Sequence, residues 1–357
     1  MGRDSQFYKE KQKNQKIKLR ELMDQLPEFA KDFIYSKELT TQTSTLISYS
    51  YDLLTFFRFL QEKNPSMSHM AIKDIPLSCL NHLTPEDIVE YQRFLELNLE
   101  GEFHENGKKS IAKKLSPLRG LFQYHYERKN IIDNPMVLVK LPKLKKDKNI
   151  IRMTNDEVQA ILFAIENNAG LAMSERQRKY LAKTQKRDLA ILTLMLGTGI
   201  RVSECNGLDL TDIDFRENSM TIIRKGGGQD VLYFGEEIHD VLKDYIESER
   251  AFITPQDEKN EPALFYSTQG RRLSVDSIEN LVKKYAKMVV PNKKITPHKL
   301  RSTYGTALYR ETGDIRLVAD VLGHENINTT IDYYAAMEDE HKRQAAGAVN
   351  YRKNKIQ

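Results

Sequence analysis

Cysteine is nearly absent from this chain. Cys79 and Cys205 are the only two among 357 residues, too few and too far apart for a disulfide scaffold or a cysteine-based zinc site. Long apolar runs are missing too: none reaches the ~18 residues needed to cross a bilayer. The stretch from Met1 to Arg20 is polar and Lys-rich, with no apolar core of the kind a secretory signal needs. The sequence therefore predicts a soluble, reduced, cytoplasmic protein. Disorder is excluded as well, because 40% hydrophobic content over this length can build a substantial core.

Net charge is small, with 55 basic against 50 acidic side chains, or +5. Its distribution is uneven. Residues 1–150 hold 25 basic and 20 acidic side chains, whereas residues 151–357 hold 30 of each. Between 108 and 149 there are 12 basic residues against three acidic ones, a local excess of +9. Such a cluster is a candidate polyanion footprint or, equally, a solvated helix face followed by a charged linker.

At about 150 residues per domain, the length suggests two domains. Residues 1–135 read as all helical. Leu46, Tyr49, Leu53, Phe56, Phe57 and Leu60 form one amphipathic stripe, and Ile111, Leu115, Leu118, Leu121 and Phe122 another. Pro85-Glu86-Asp87 is a helix start, with proline in the first turn and acids at the positive end of the dipole. Residues 136–152 carry Pro142 and a lysine run, the signature of an exposed linker. Residues 153–357 form the second domain. Thr154 with Glu157 opens it as a helix cap, and Arg187–Leu196 is an apolar helix closed by Gly197-Thr198-Gly199. Met220–Ile223 and Val231–Phe234 flank Arg224-Lys225-Gly226-Gly227-Gly228-Gln229 and read as a β-hairpin. The predicted fold class is mainly α with a small β-sheet or hairpin.

The polar residues of 201–333 are individually weak signals. Arg201 and Glu204 stand at i, i+3, where a carboxylate can orient a guanidinium or simply form a surface pair. Lys225 sits at a glycine turn, with no strand-to-helix P-loop context. His298 and Arg301 share a helical face. Residues 314–335 read as a helix, a turn at Gly323-His324 and a second helix capped by Asn328, a pattern equally compatible with a helix-turn-helix DNA reader.

Their joint order is more specific. Arg201, Lys225, His298-x-x-Arg301, Leu322-Gly323-His324 and Tyr333, within the words TGIRVSE, ITPHKLRST and VLGHENINTTIDYY, resemble the tyrosine recombinase/phage integrase family. The resemblance is strong over about 150–345. Within the family the chain looks most like a stand-alone Xer recombinase of XerS type. One departure is Ser302, where the family often carries histidine after the arginine.

The resemblance implies a helical, SAM-like core-binding domain at 1–135 and an α+β tyrosine-recombinase catalytic domain at 153–357. It implies that Tyr333 is the nucleophile and forms a 3′-phosphotyrosyl link. Arg201, Arg301 and His324 would bind the scissile phosphate, Lys225 would protonate the 5′-oxygen, His298 would assist proton transfer, and Glu204 would orient Arg201. Such chemistry needs a nucleophile, cationic stabilisation of the transition state and an acid, with no metal and no cofactor. Tyr334 lies about 100° further round a helix and faces elsewhere.

The implied partners are double-stranded DNA with a specific inverted-repeat site and further copies of the chain, as a tetramer on two sites. A C-terminal segment beyond Met337 would be exchanged between protomers, and the location would be nucleoid-associated. Lys108, Lys109, Lys113, Lys114, Arg119, Lys143, Lys145 and Lys146 become candidate DNA contacts. The implied role is chromosome dimer resolution. The alternatives are integration or excision of a mobile element, a non-catalytic DNA-binding regulator, and a type IB topoisomerase-like enzyme.

Overall fold

The structure is a computed structural model that describes residues 6–96, 107–141, 152–167, 174–324 and 331. The expected Tyr333 and Tyr334, the lysines Lys143, Lys145 and Lys146, the cap at Asn328 and the C-terminal exchange segment lie outside the described residues. The chain divides into two compact units, Lys9–Lys148 and Asn149–Gln357, the latter joined by the residues up to Tyr8. None of the described helices is long and apolar enough to cross a membrane.

The first unit is helical. Its elements are α1 (Gln6–Met23), α2 (Glu28–Lys37), α3 (Thr43–Lys63), α4 (Pro85–Glu96) and α5 (Lys108–Glu127), with no strand among its described residues. Pro27, four residues past the end of α1, stands as the N-cap of α2, and its ring removes the donor that a continuous helix would need there. Asp87 reaches back to the Thr84 backbone N–H at 2.7 Å, while Thr84 Oγ1 accepts from the Asp87 N–H at 3.3 Å. The start of α4 is therefore closed by a capping box. Leu53, Phe57, Ile88, Tyr91, Leu115 and Phe122 fill the core.

Two details depart from the sequence-based boundaries. Met136 and Val139, assigned to the linker, are buried in this same core. A short 3-10 turn at Pro135–Val137 turns them inward, with the Asn134 side chain accepting from the Met136 N–H. The second departure is at the N-terminus. Phe7 groups with the other unit, its ring 4.4 Å from the Arg272 guanidinium.

The second unit contains α6 (Asn155–Glu166), α7 (Glu175–Ala182), α8 (Gln185–Thr198), α9 (Val202–Gly207), α10 (Glu236–Ser248), α11 (Val275–Val289), α12 (Pro297–Thr312) and α13 (Ile315–Val321). An antiparallel sheet of order β1 (Ile213–Asp214), β2 (Ser219–Ile223) and β3 (Gln229–Tyr233) lies between α9 and α10 in the chain. Its main register runs from Ser219 opposite Tyr233 to Ile223 opposite Gln229. The predicted hairpin is thus present, with a third short strand added by Ile213 and Asp214.

Helix α8 is the axis of this unit. Ala190, Ile191, Leu192, Leu194 and Met195 are all buried, so the middle of the helix is covered on every side. It packs against α6, α10 and α12. The Thr154–Glu157 capping box opens α6 as the sequence predicts. Lys293 holds Glu157 at 2.6 Å and keeps that carboxyl below its usual range even though burial acts the other way.

Candidate active site

Four chain segments of the second unit supply the site, and each is positioned by a local start or stop in regular structure. The first is the end of α8. Gly199 caps it in the left-handed region at φ 63°, where a side chain is strained. A Cβ there would also lie 2.5 Å from Tyr304 Cδ1 and 2.9 Å from Leu322 Cδ2. Two residues later Arg201 is the N-cap of α9.

Glu204 is 2% exposed and binds Arg201 twice. Oε2 accepts from the Arg201 backbone N–H at 2.9 Å, and Oε1 accepts from Nη1 at 2.7 Å. Arg201 Nη2 donates to the Gly323 carbonyl at 2.8 Å. This is more than a surface ion pair. The guanidinium is fixed on two sides by a buried carboxylate and a backbone oxygen.

The second segment is the first turn of α12, opened by Pro297. Arg301 is buried, and its Nη1 donates to the Gly199 carbonyl at 2.5 Å. His298, one turn earlier, is exposed. Ser302 bonds back within its own helix, its Oγ donating to the His298 carbonyl at 2.9 Å.

The third segment is the end of α13. Asp314 caps its start, accepting from the Arg316 and Leu317 N–H groups. Gly323 stops it at φ 56°, and His324 follows, partly buried. The His324 imidazole is pushed down from 6.5 to about 4, by burial first and then by the positive charges of Arg301, Arg201, His298 and Arg224. His324 is therefore neutral at pH 7, with burial and neighbouring cations both disfavouring its charged form.

The fourth segment is the hairpin turn. Gly226 and Gly227 take φ of 104° and 87°, and Lys225 is exposed beside them. The structure thus brings Arg201, Glu204, Arg301, His298 and His324 together and puts Lys225 on the adjoining turn. Sequence reasoning missed Arg224, whose largely covered guanidinium lies 3.5 Å from Glu204. The only signal for it was its place beside Lys225.

The candidate DNA contacts of α5 have mixed environments. Lys108, Lys109 and Lys113 are exposed. Lys114 pairs with Asp52 at 3.5 Å. Arg119 donates to the carbonyls of Val139 at 3.2 Å and Met136 at 3.5 Å. Elsewhere, Glu236, His239 and Asp240 present ligand atoms within 4.8 Å of one another on α10. They belong to none of the four segments.

Two guanidinium groups, each fixed by a hydrogen bond to a backbone carbonyl, and a histidine beside them are donors of the kind that suits an oxyanion. The Phage integrase family profile matches residues 151–341. Tyrosine recombinase XerC of Caldanaerobacter subterraneus subsp. tengcongensis is 30% identical over 331 residues, covering 89% of this chain and 86% of that protein. Tyrosine recombinase XerS of Lactococcus lactis subsp. cremoris is 30% identical over 338 residues, covering 89% and 94%. Among solved structures, XerH site-specific recombinase bound to palindromic difH substrate superposes with a TM-score of 0.63 at 18% identity, covering 84% of this chain and 79% of that one. A lambda integrase dimer bound to a COC′ core site gives 0.58 at 17% identity, covering 84% and 95%.

The chain belongs to the phage integrase family of tyrosine recombinases. It is a Xer-type site-specific recombinase, an enzyme that cleaves and rejoins DNA, and the mobile-element integrase alternative is not favoured over that assignment.

Proposed function

We propose that the enzyme resolves chromosome dimers by exchanging strands between two inverted-repeat sites, as a tetramer, through a Holliday junction. The observation that carries the chemical part is the convergence of Arg201, Arg301 and the neutral His324. Tyr333 Oη attacks the scissile phosphorus. A P–O bond to tyrosine forms and the bond to the 5′-oxygen breaks. The tyrosine proton leaves with the help of His298, and Lys225 gives a proton to the departing 5′-oxygen.

Arg201 and Arg301 present forked donors to the non-bridging oxygens, and His324 adds a third donor. Glu204 keeps the Arg201 fork aimed. The phosphotyrosine conserves the bond energy, so resealing is the same step reversed with a new 5′-hydroxyl.

Lys108, Lys109 and Lys113 on α5 would touch the DNA backbone, with Lys143, Lys145 and Lys146 beyond it. The segment past Met337 would dock on a neighbouring protomer. Support for the chromosomal role is the likeness to XerC and XerS relatives over most of the chain.

The test is a plasmid carrying two directly oriented copies of the inverted repeat found near the replication terminus of the host. The purified protein should resolve it into two circles, and cells lacking the protein should accumulate unsegregated chromosomes. Relaxation of any supercoiled plasmid, with or without the repeats, would instead mark a topoisomerase.

A further inference from the structure

Arg224 and Lys225 are neighbours in sequence with opposite fates. Lys225 is exposed on the turn, whereas the Arg224 side chain is only 11% exposed. Its guanidinium touches three separate segments. Nε donates to Asp230 Oδ2 across the hairpin at 2.8 Å, and Nη2 donates to the Val321 carbonyl at the end of α13, also at 2.8 Å. Nη1 stands 3.5 Å from Glu204 Oε2, the oxygen that receives the Arg201 backbone N–H.

The backbone of Arg224 also closes the turn. Its N–H donates to the Gly228 carbonyl at 2.8 Å, and its own carbonyl accepts from the Gly227 N–H at 2.9 Å. Gly323 leaves room for the guanidinium, since a Cβ there would lie 2.8 Å from its Cζ and Nε. Only a planar fork with donors in several directions can make these contacts at once; a lysine ammonium cannot.

The three glycines that follow Lys225 put few side-chain restraints on the tip, and Arg224 is where side-chain anchoring begins. Resting on the catalytic reading given above, we propose that Arg224 is a positioning residue. It docks the hairpin on the end of α13, so that Lys225 is presented to the leaving oxygen of the phosphate that Arg201 and His324 hold.

The test compares two nicked duplexes carrying the recombination site. One has the natural 5′-oxygen at the scissile bond and the other a 5′-bridging sulfur. When tyrosine attacks the second, the P–S bond breaks and the thiolate leaves without needing a proton. Defects in the acid are therefore masked, while defects in phosphate binding are not.

The readout is the ratio of sulfur to oxygen cleavage rates, relative to the unmodified protein. Lys225→Ala should raise it by about 10²–10⁴-fold, the range for loss of a general acid. Arg224→Met should raise it by about 10–100-fold, as misplacement of an intact acid does. Asp230→Asn loosens the same anchor at a half-exposed position and should raise the ratio more modestly, which covers the case of Arg224→Met failing to fold.

An unchanged ratio in both the Arg224 and Asp230 variants, with that of Lys225→Ala raised, would overturn the positioning role and leave the catalytic reading standing. Absence of any covalent adduct in the unmodified protein would overturn the catalytic reading itself.

Discussion

Glu204 holds Arg201 at two points, accepting from its backbone N–H at 2.9 Å and from Nη1 at 2.7 Å. With Arg224 on its other side, this buried carboxylate faces two guanidinium groups. Removing it leaves Arg201 without its carboxylate partner, while Arg224 keeps Asp230 at 2.8 Å. Glu204→Ala should lower unfolding stability by about 3 kcal/mol, the low end for a broken buried pair because Arg201 is partly open to solvent. Thermal and urea denaturation would measure this. Glu204→Gln keeps the shape but neither the charge nor the second acceptor, so it should recover only part of the stability while remaining slow in cleavage.

Gly199 joins the two arginines, since its carbonyl accepts from Arg301 and its left-handed turn launches Arg201. Gly199→Ala adds backbone strain and a collision with Tyr304. A loss of about 2–4 kcal/mol is expected from the two together. Cleavage should fall further than stability alone explains, measured at a temperature where the variant is fully folded.

His324 gives the site a pH dependence with a defined sign. Its folded value, about 4, lies below the ordinary 6.5. The unfolded chain therefore binds the extra proton more readily, and stability from this group is present above pH 6.5 and lost as pH falls toward 4. His324→Gln should flatten the fall in Tm over that window relative to the unmodified protein. A phosphodiester at the site offsets the surrounding arginines and raises the histidine again. DNA binding should accordingly take up protons at pH values above about 4, detectable as a buffer-dependent heat that His324→Gln abolishes.

Neutralising Lys143, Lys145 and Lys146 together should weaken binding alike on all DNA sequences. It should flatten the log–log salt dependence by up to ~3 if each contacts a phosphate. Lys108, Lys109 and Lys113 form a second set for the same measurement. Arg119→Gln should instead lower stability, because Arg119 is engaged with the carbonyls of Met136 and Val139.

Features governed by neighbouring residues were legible in the sequence. The Thr154–Glu157 cap, the stop at Gly199, the glycine turn of the hairpin and the end of α13 at Gly323 all lie where local chemistry requires them. Arg201 and Glu204 were legible as a pair, but not the burial that distinguishes them from a surface contact. That depends on packing of α9, which no local pattern reports. Arg224 was invisible for a similar reason. Its partners Glu204, Asp230 and Val321 come from three segments, the last 97 residues away. Met136 and Val139 were read as linker because the lysines after them dominate the composition, whereas burial is decided residue by residue.

The most direct test of the account is to trap the protein on a nicked duplex carrying its site, digest the covalent adduct and locate the nucleotide-bearing peptide by mass spectrometry. The expected result is a 3′-phosphotyrosyl link at Tyr333, lost in Tyr333→Phe and retained in Tyr334→Phe. A link at Tyr334, or an adduct that persists in Tyr333→Phe, would contradict it.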